Sequence, residues 1–415
     1  MAALRCGLIG HPLGHSCSPR VHALLGGEGY ELWDTAPERI DAFLRDKNFD
    51  GINVTIPYKQ TVIPYCDDLG ETARLIGSVN TIVRRKDGSL FGDNTDAYGF
   101  LCLAKRAGID FKSKKVLVLG SGGTSHTACA VIKAEGGEAI VISRSGENNY
   151  GNLHLHADAD VIVNTTPVGM YPHADETPVD LTLFPKLQGV LDVIYNPLRT
   201  RFLQQAEKLH LPCEGGLYML CAQAARAREI FTGEKISDDV LDRAYRTLLA
   251  ERQSIVLIGM PGSGKTTIAQ ALSAQLQLPL IDIDAKIVEK AGRPIPEIFS
   301  TDGEAAFRDL EEAVIAEHCA AGGSIIATGG GAILREKNRQ NLRMNARVIW
   351  LKRPLERLPF DGRPLSKGFS AIEEMYFIRE PLYRECADAV AENAGTIEEC
   401  VALVKETLLS LSQRK

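Results

Sequence analysis

The 415-residue sequence predicts an α/β protein made of two parallel-sheet units in succession. Three observations carry this. Short β-rich apolar runs recur ahead of helical patterns: LRCGLIG, KKVLVLG, EAIVIS, ADVIVNTT, GVLDVIY, SIVLIG, SIIATGGG and ARVIWL. Strands alternating with helices give parallel sheets covered by helices. Two of the runs end in glycine-rich turns, KVLVLGSGGTS at 115–125 and IVLIGMPGSGKTT at 255–267, and each opens a new unit. The length, with 45% hydrophobic and 24% charged residues, suits two or three globular domains.

Between the two turns, ISDDVLDRAYRTLLAERQ (236–253) reads as an amphipathic helix running at once into the strand SIVLIG. The boundary is therefore expected near Gln253 with almost no linker. The formal net charge of -6, with both signs mixed along the chain, offers no broad basic face for nucleic acid or an anionic membrane. No apolar run approaches the roughly 20 residues that span a bilayer, and MAALRCGLIGHPLGHS lacks the sections of a signal peptide, so the expected compartment is the cytoplasm. Ten cysteines without C-x-x-C pairs indicate neither a zinc site nor a disulfide framework.

In the second half, Gly259-Met-Pro-Gly-Ser-Gly264-Lys265-Thr266 matches G-x-x-x-x-G-K-[ST] after a strand and before the helical pattern TIAQALSAQL, the context this phosphate-binding motif requires. Glycines let backbone N–H groups turn to the phosphates, Lys265 reaches the outer phosphates, and the Thr266 hydroxyl can ligate Mg²⁺. Ile281-Asp282-Ile283-Asp284 alternates apolar and acidic residues at a strand end, which is expected to put both carboxylates on one strand face. With GEAAFRDLE (303–311), TGGGA (328–332), GRPL (362–365) and REPLYRECAD (379–388) following in order, residues 254–410 resemble shikimate kinase. The resemblance implies ATP contacts from Gly262, Ser263, Gly264, Lys265, Thr266 and Thr267. It makes Asp282, with Thr266, a partner of Mg²⁺, and Asp284 the carboxylate that orients or deprotonates the attacking hydroxyl. Arg308 and Arg379 clamp the substrate carboxylate, for which planar guanidinium groups are suited. Gly330 leaves space for a ring against backbone, and Arg363 belongs to a lid over ATP that is shorter and less basic than the family's.

In the first half, Gly120-Ser121-Gly122-Gly123-Thr124-Ser125 follows a strand and opens a helix as a dinucleotide-binding turn does, with Ser125 in place of the third glycine. The next strand ends in Ser143-Arg144-Ser145 instead of an acid, which suits the 2′-phosphate of NADP. Upstream lie HSCSP (15–19), GINVTIPYK (51–59), VNT (79–81) and GDNTD (92–96); downstream lie NTTPVGM (164–170), DVIYNPLRTRFL (192–203) and GLYMLCAQA (216–224). Across residues 5–245 these segments resemble shikimate dehydrogenase. The resemblance implies that Lys59, held by Asp96, supplies the proton an alkoxide needs. It assigns Ser16, Ser18, Thr55, Asn80, Tyr195 and Gln223 to the substrate, and Val193 and Gly216 to the cofactor with the glycine turn.

The implied architecture is a substrate lobe (1–95, completed by helices in 215–250), a Rossmann NADP lobe (96–214) and a P-loop NTPase-type kinase domain (253–415). The implied reactions are NADPH-dependent reduction of 3-dehydroshikimate to shikimate, then ATP-dependent phosphorylation to shikimate 3-phosphate, so one half makes the other's substrate. Expected partners are these small molecules, with no nucleic acid or membrane, in a monomer or homodimer. The alternatives are quinate or NAD use, a quinate- or shikimate-sensing regulator, and a fusion with one active half.

Overall fold

Branched aliphatic runs form the strands of three sheets, and their alternation decides what each face meets. The computed structural model describes residues 4–14, 16–358 and 369–413. The chain divides into two compact units, Met1–Leu249 and Ala250–Lys415. No helix among the described residues is long and apolar enough to cross a membrane.

The first unit holds two sheets. One has six strands in the order Glu31–Asp34, Cys6–Gly10, Gly51–Val54, Thr81–Arg84, Leu90–Asp93, Asp68–Leu69. It is not wholly parallel, as the sequence pattern suggested: Thr81–Arg84 runs antiparallel to both neighbours. The cause is local. Only five residues, RKDGS, join Thr81–Arg84 to Leu90–Asp93, too few for a crossover helix but enough for a hairpin. Gly88 takes the left-handed conformation (φ 84°) in that turn.

The second sheet is five-stranded and parallel, in the order Cys213–Gly215, Gly189–Asp192, Val161–Asn164, Lys115–Leu119, Glu138–Ile142. Val116 and Val118 enter a core with Phe100 and Ile132, whereas Leu117 and Leu119 enter another with Phe184 and Phe202. Period-two alternation thus buries both faces, which a parallel sheet requires. The helices Asp96–Arg106 and Leu217–Thr232 pack together, and Gly99 sets their spacing: a β-carbon there would stand 2.7 Å from the Met219 carbonyl oxygen.

Helix Asp238–Arg252 leads to strand Ser254–Ile258 with only Gln253 between them. The second unit is one parallel sheet, ordered Leu280–Asp282, Ile325–Ala327, Ser254–Ile258, Ala346–Lys352, Ala389–Glu392. Val256, Ile258 and Trp350 face one core, and Ile255, Leu257 and Leu351 the other. The central strand feeds the glycine-rich turn and helix Lys265–Leu276. The expected alternation through Ile281–Asp284 ends early, because the strand stops at Asp282 and Ile283 begins the helix Ile283–Ala291. Asp282 caps that helix by accepting the Ala285 N–H at 3.1 Å, and a good N-cap there terminates the strand.

Candidate active sites

In the first unit a cavity of about 370 Å³ gathers residues from both lobes. Lys59 Nζ donates to Asp96 Oδ2 at 2.6 Å, with the two side chains 26% and 16% exposed, so the pair is partly shielded yet reachable. Asp96 begins its helix, where the positive end of the helix dipole favours a carboxylate. Its own N–H donates to Asn94 Oδ1 at 3.1 Å.

The other expected substrate contacts line the same cavity: Ser16, Ser18, Thr55, Asn80, Tyr195 and Gln223. The Ser16 hydroxyl accepts the Ser18 N–H at 3.2 Å and donates to the Ser18 hydroxyl at 3.2 Å, which fixes two hydroxyls side by side. Asn80 Oδ1 accepts the Thr95 N–H at 2.7 Å and the Thr81 hydroxyl at 3.0 Å. Its amide nitrogen is thus the group left for the cavity. Gln223 donates to the Leu220 carbonyl at 3.0 Å.

Two contributors escaped sequence reasoning. Buried Asn53 donates to Thr81 at 3.0 Å and accepts from Tyr30 at 2.8 Å, and buried Thr95 ties Asn80 in place. Both stood inside quoted motifs, but nothing in spacing separates a residue that positions from one that touches.

The expected cofactor residues divide between this cavity and the turn. Thr124, Val193 and Gly216 line the cavity. Gly120 has φ 109°, and a β-carbon on it would press to 3.0 Å on Thr165 and Thr166. Gly122 and Gly123 have open space where a β-carbon would stand, and helix Gly123–Ala134 begins there, as close backbone approach to a pyrophosphate needs. Ser121 is exposed. Ser125, at the motif's third glycine position, is fully buried, its small side chain accommodated in the packing. Exposed Arg144 and Ser145 follow the strand, and the Ser143 N–H donates to the Asn148 carbonyl at 3.1 Å. These features fit a dinucleotide with a 2′-phosphate.

Asp192 is a further buried group the sequence did not single out. It accepts from the Thr200 hydroxyl at 2.7 Å, the Ile194 N–H at 3.0 Å and Asn164 at 3.1 Å. Burial pushes its carboxyl up to about 7, against the pull of those three bonds. Val193 and Tyr195 lie just beyond it.

In the second unit a cavity of about 510 Å³ lies over the glycine-rich turn. Gly262 and Gly264 have φ 80° and 91°, so the turn depends on glycine. Lys265 donates to the Gly259 and Met260 carbonyls at 2.9 Å each, which centres its ammonium in the loop. Gly262, Gly264, Thr266 and Thr267 line the cavity. Ser263 does not: it is fully buried, its N–H donates to the Met260 carbonyl at 3.1 Å, and its carbonyl accepts from Asn393 at 2.7 Å. Thr266 donates to Asp282 Oδ2 at 2.9 Å. A hydroxyl beside a carboxylate is the hard oxygen pair that suits Mg²⁺.

Asp284 lines the cavity from the first turn of its helix, not from a strand face. Arg308, Gly330 and Arg379 join it there. The three consecutive glycines make room for them. A β-carbon on Gly329 would stand 2.8 Å from Asp284 Oδ1, one on Gly330 2.6 Å from Pro261, and one on Gly331 2.5 Å from Arg308 Nη2. Arg379 donates to the Gly330 carbonyl at 3.0 Å. Arg308 donates to Glu311 at 2.7 Å and Glu304 at 3.1 Å.

Glu311 and Arg353 also line this cavity and were not foreseen. Glu311 is 1% exposed, and its Oε1 has no hydrogen-bond partner among the described residues. Burial raises its carboxyl above the ordinary range while Arg308 pulls the other way. The three-residue spacing from Arg308 on one helix was the signal available. Arg353 donates to the Gly262 carbonyl at 3.3 Å. Arg363, expected in the lid, lies outside the described residues.

Comparison with known proteins matches a family in each unit. Residues 8–82 match the shikimate dehydrogenase substrate binding domain family, and residues 261–409 the shikimate kinase family. The NADP(+) shikimate dehydrogenase of Clostridium perfringens is 34% identical over 264 residues, covering 58% of this chain and 97% of that protein. A chorismate mutase/shikimate 5-dehydrogenase fusion protein from Clostridium acetobutylicum is 34% identical with a TM-score of 0.57, over 60% of this chain and 97% of its own. Shikimate 5-dehydrogenase from Thermus thermophilus, solved with NADP(H) and shikimate, is 35% identical with a TM-score of 0.54, over 59% and 99%.

Proposed function

Because the chain belongs to the shikimate dehydrogenase family and carries a shikimate kinase domain after it, we propose that it reduces 3-dehydroshikimate to shikimate with NADPH and phosphorylates shikimate with ATP. The observation that supports this is a cavity in each unit, one with the Lys59–Asp96 pair among hydroxyls, the other lined by Asp284, Arg308 and Arg379.

In the first site NADPH, held by the Gly120–Thr124 turn, Ser143–Ser145, Val193 and Gly216, supplies the hydride. Lys59 donates the proton to the carbonyl oxygen as it becomes a hydroxyl, and Asp96 fixes the ammonium in line. Ser16, Ser18, Thr55, Asn80, Tyr195 and Gln223 hydrogen-bond the carboxylate and ring hydroxyls. Such polar contact discriminates against analogues that leave a buried group unpaired.

In the second site Mg²⁺–ATP, held by Lys265, Thr266, Thr267 and Asp282, supplies the phosphoryl group. Arg308 and Arg379 hold the substrate carboxylate, and Asp284 takes the proton of the attacking hydroxyl. The reading takes the protein as cytoplasmic, a monomer or homodimer, engaging neither nucleic acid nor membrane. The net charge of -6 supports the last of these, the lack of nucleic-acid and anionic-membrane partners.

The test is to incubate the chain with 3-dehydroshikimate, NADPH, ATP and Mg²⁺ while following NADPH absorbance and shikimate 3-phosphate together. Wild type should form the phosphate. Lys59→Ala should do so only from added shikimate, and Lys265→Ala should accumulate shikimate. NADPH oxidation without phosphate, even from added shikimate, would leave the kinase unit a scaffold or sensor.

A further inference from the structure

We infer that Arg353 is a further nucleotide-binding residue of the second unit, a cation fixed at a strand end that contacts the phosphates of ATP. The inference rests on reading that unit as an ATP-dependent kinase and adds a residue to it. Position is the first support. Arg353 lines the cavity of about 510 Å³ and follows directly on strand Ala346–Lys352, which pairs with Ser254–Ile258, the strand that feeds the glycine-rich turn. The two segments stay close beyond that pairing: a β-carbon on Gly259 would stand 2.5 Å from the Leu351 carbonyl oxygen. The main chain therefore delivers Arg353 beside the turn. Pro354 comes next, and the residue before a proline is held to extended backbone, which fixes that delivery.

The guanidinium is tied to the turn yet has donors to spare. Nη1 donates to the Gly262 carbonyl at 3.3 Å, its one hydrogen bond among the described residues, and Nε is buried with no partner there. No carboxylate of the described residues pairs with it, whereas neighbouring Lys352 pairs with Glu392 at 3.2 Å and Arg308 with Glu311 at 2.7 Å. A half-buried guanidinium has five N–H groups to satisfy, and one long bond leaves most of them for an incoming acceptor. The surroundings favour an anion. Lys265, Arg308, Arg353 and Arg379 line the cavity against two carboxylates, Asp284 and Glu311. Counting Asp282 as well, which accepts from Thr266, still leaves positive charge in excess.

Location decides which anion. Arg308 stands against Gly331 and Arg379 holds the Gly330 carbonyl, on the side proposed for the ring acid. Arg353 instead holds a carbonyl of the phosphate turn, as Lys265 holds those of Gly259 and Met260. Two cations thus flank one turn whose backbone N–H groups suit phosphate, and a planar fork matches phosphate oxygens.

The test compares wild type, Arg353→Gln and Arg353→Lys as full chains. The non-hydrolysable ATP analogue AMP-PNP is titrated calorimetrically with Mg²⁺ present, and the kinase reaction is followed by coupled ADP release. Arg353→Gln should weaken AMP-PNP binding and lower kcat/KM for ATP by at least about tenfold, while KM for shikimate stays within about twofold. Arg353→Lys, which keeps the charge and loses the fork, should fall between the two. The unfolding midpoint of the ligand-free Arg353→Gln chain should equal or exceed that of wild type, because an uncompensated cation beside Lys265 serves binding and not stability. Wild-type AMP-PNP affinity in Arg353→Gln overturns the proposal, as does a rise in KM for shikimate in place of ATP. A lowered ligand-free midpoint also overturns it and makes Arg353 a brace for the turn. Should wild type bind AMP-PNP without phosphorylating shikimate, the kinase reading fails while the binding comparison still decides the role of Arg353. No AMP-PNP binding by wild type overturns both.

Discussion

Gly331→Ala isolates the proposed carboxylate clamp of the kinase unit with a single methyl group. Gly331 has φ -100°, which alanine adopts freely, so backbone strain contributes nothing. The new β-carbon would stand 2.5 Å from Arg308 Nη2 and 2.6 Å from Nη1. Relief to ordinary contact near 3.4 Å requires the guanidinium to retreat by about 1 Å. An exposed arginine would swing aside, but Arg308 is 8% exposed and tethered to Glu311 at 2.7 Å and Glu304 at 3.1 Å. Moving it disturbs a charge-assisted bond to a buried carboxylate and misplaces the donor proposed for the substrate carboxylate. A charged hydrogen bond is worth about 1.5–3 kcal/mol, so kcat/KM for shikimate should fall by roughly 10–100-fold. Coupled ADP release measures this, and NADP-linked shikimate oxidation by the same sample is the internal control. Kinase kcat/KM within twofold of wild type would refute both the clash and the clamp.

Glu311→Gln keeps the volume but leaves Arg308 without its buried countercharge, and should raise KM for shikimate about tenfold in the same kinase assay. Asn80→Ala removes the acceptor of the Thr95 N–H, so chemical denaturation should show a loss of about 1–3 kcal/mol together with reduced dehydrogenase kcat/KM. Asp192 has a folded-state pKa of about 7 against an ordinary 3.8, so the native state holds its proton more tightly than the unfolded chain. Its contribution is full below about pH 3.8 and is lost as pH rises through about 7, at up to about 1.4 kcal/mol per pH unit. Asp192→Asn should remove that slope from stability measured by denaturant titration across the interval, and an unchanged slope would assign it to other groups.

The parts of this molecule readable from sequence are those where chemistry constrains neighbours in the chain. A glycine turn between a strand and a helix, or Lys59 six residues after Asn53 in GINVTIPYK, is written locally. What escaped depends on distant segments. Asp284 was expected on a strand face because ID-ID alternates, yet the cap formed by Asp282 wins over a weak period of two residues. Ser263 belongs to the phosphate motif, yet Asn393, 130 residues away, holds its carbonyl and the loop turns its side chain inward. Glu311 and Asn53 gain their meaning from the arginine and threonine they hold. The DG of RKDGS is a local signal for the antiparallel hairpin in the first sheet, which the recurrence of strand and helix does not reveal.

Gly99 bears on any attempt to redirect the dehydrogenase toward other ring acids. Asp96 lies one helical turn before it, and Gln223 stands on the helix whose Met219 carbonyl it meets. The gap between the proposed proton-holding acid and the proposed substrate-binding amide is thereby a helix–helix spacing, inherited from a residue with no side chain. Libraries that diversify the cavity wall will sample new contacts within a fixed frame, whereas a single methyl group at Gly99 would alter the frame itself and shift every contact together.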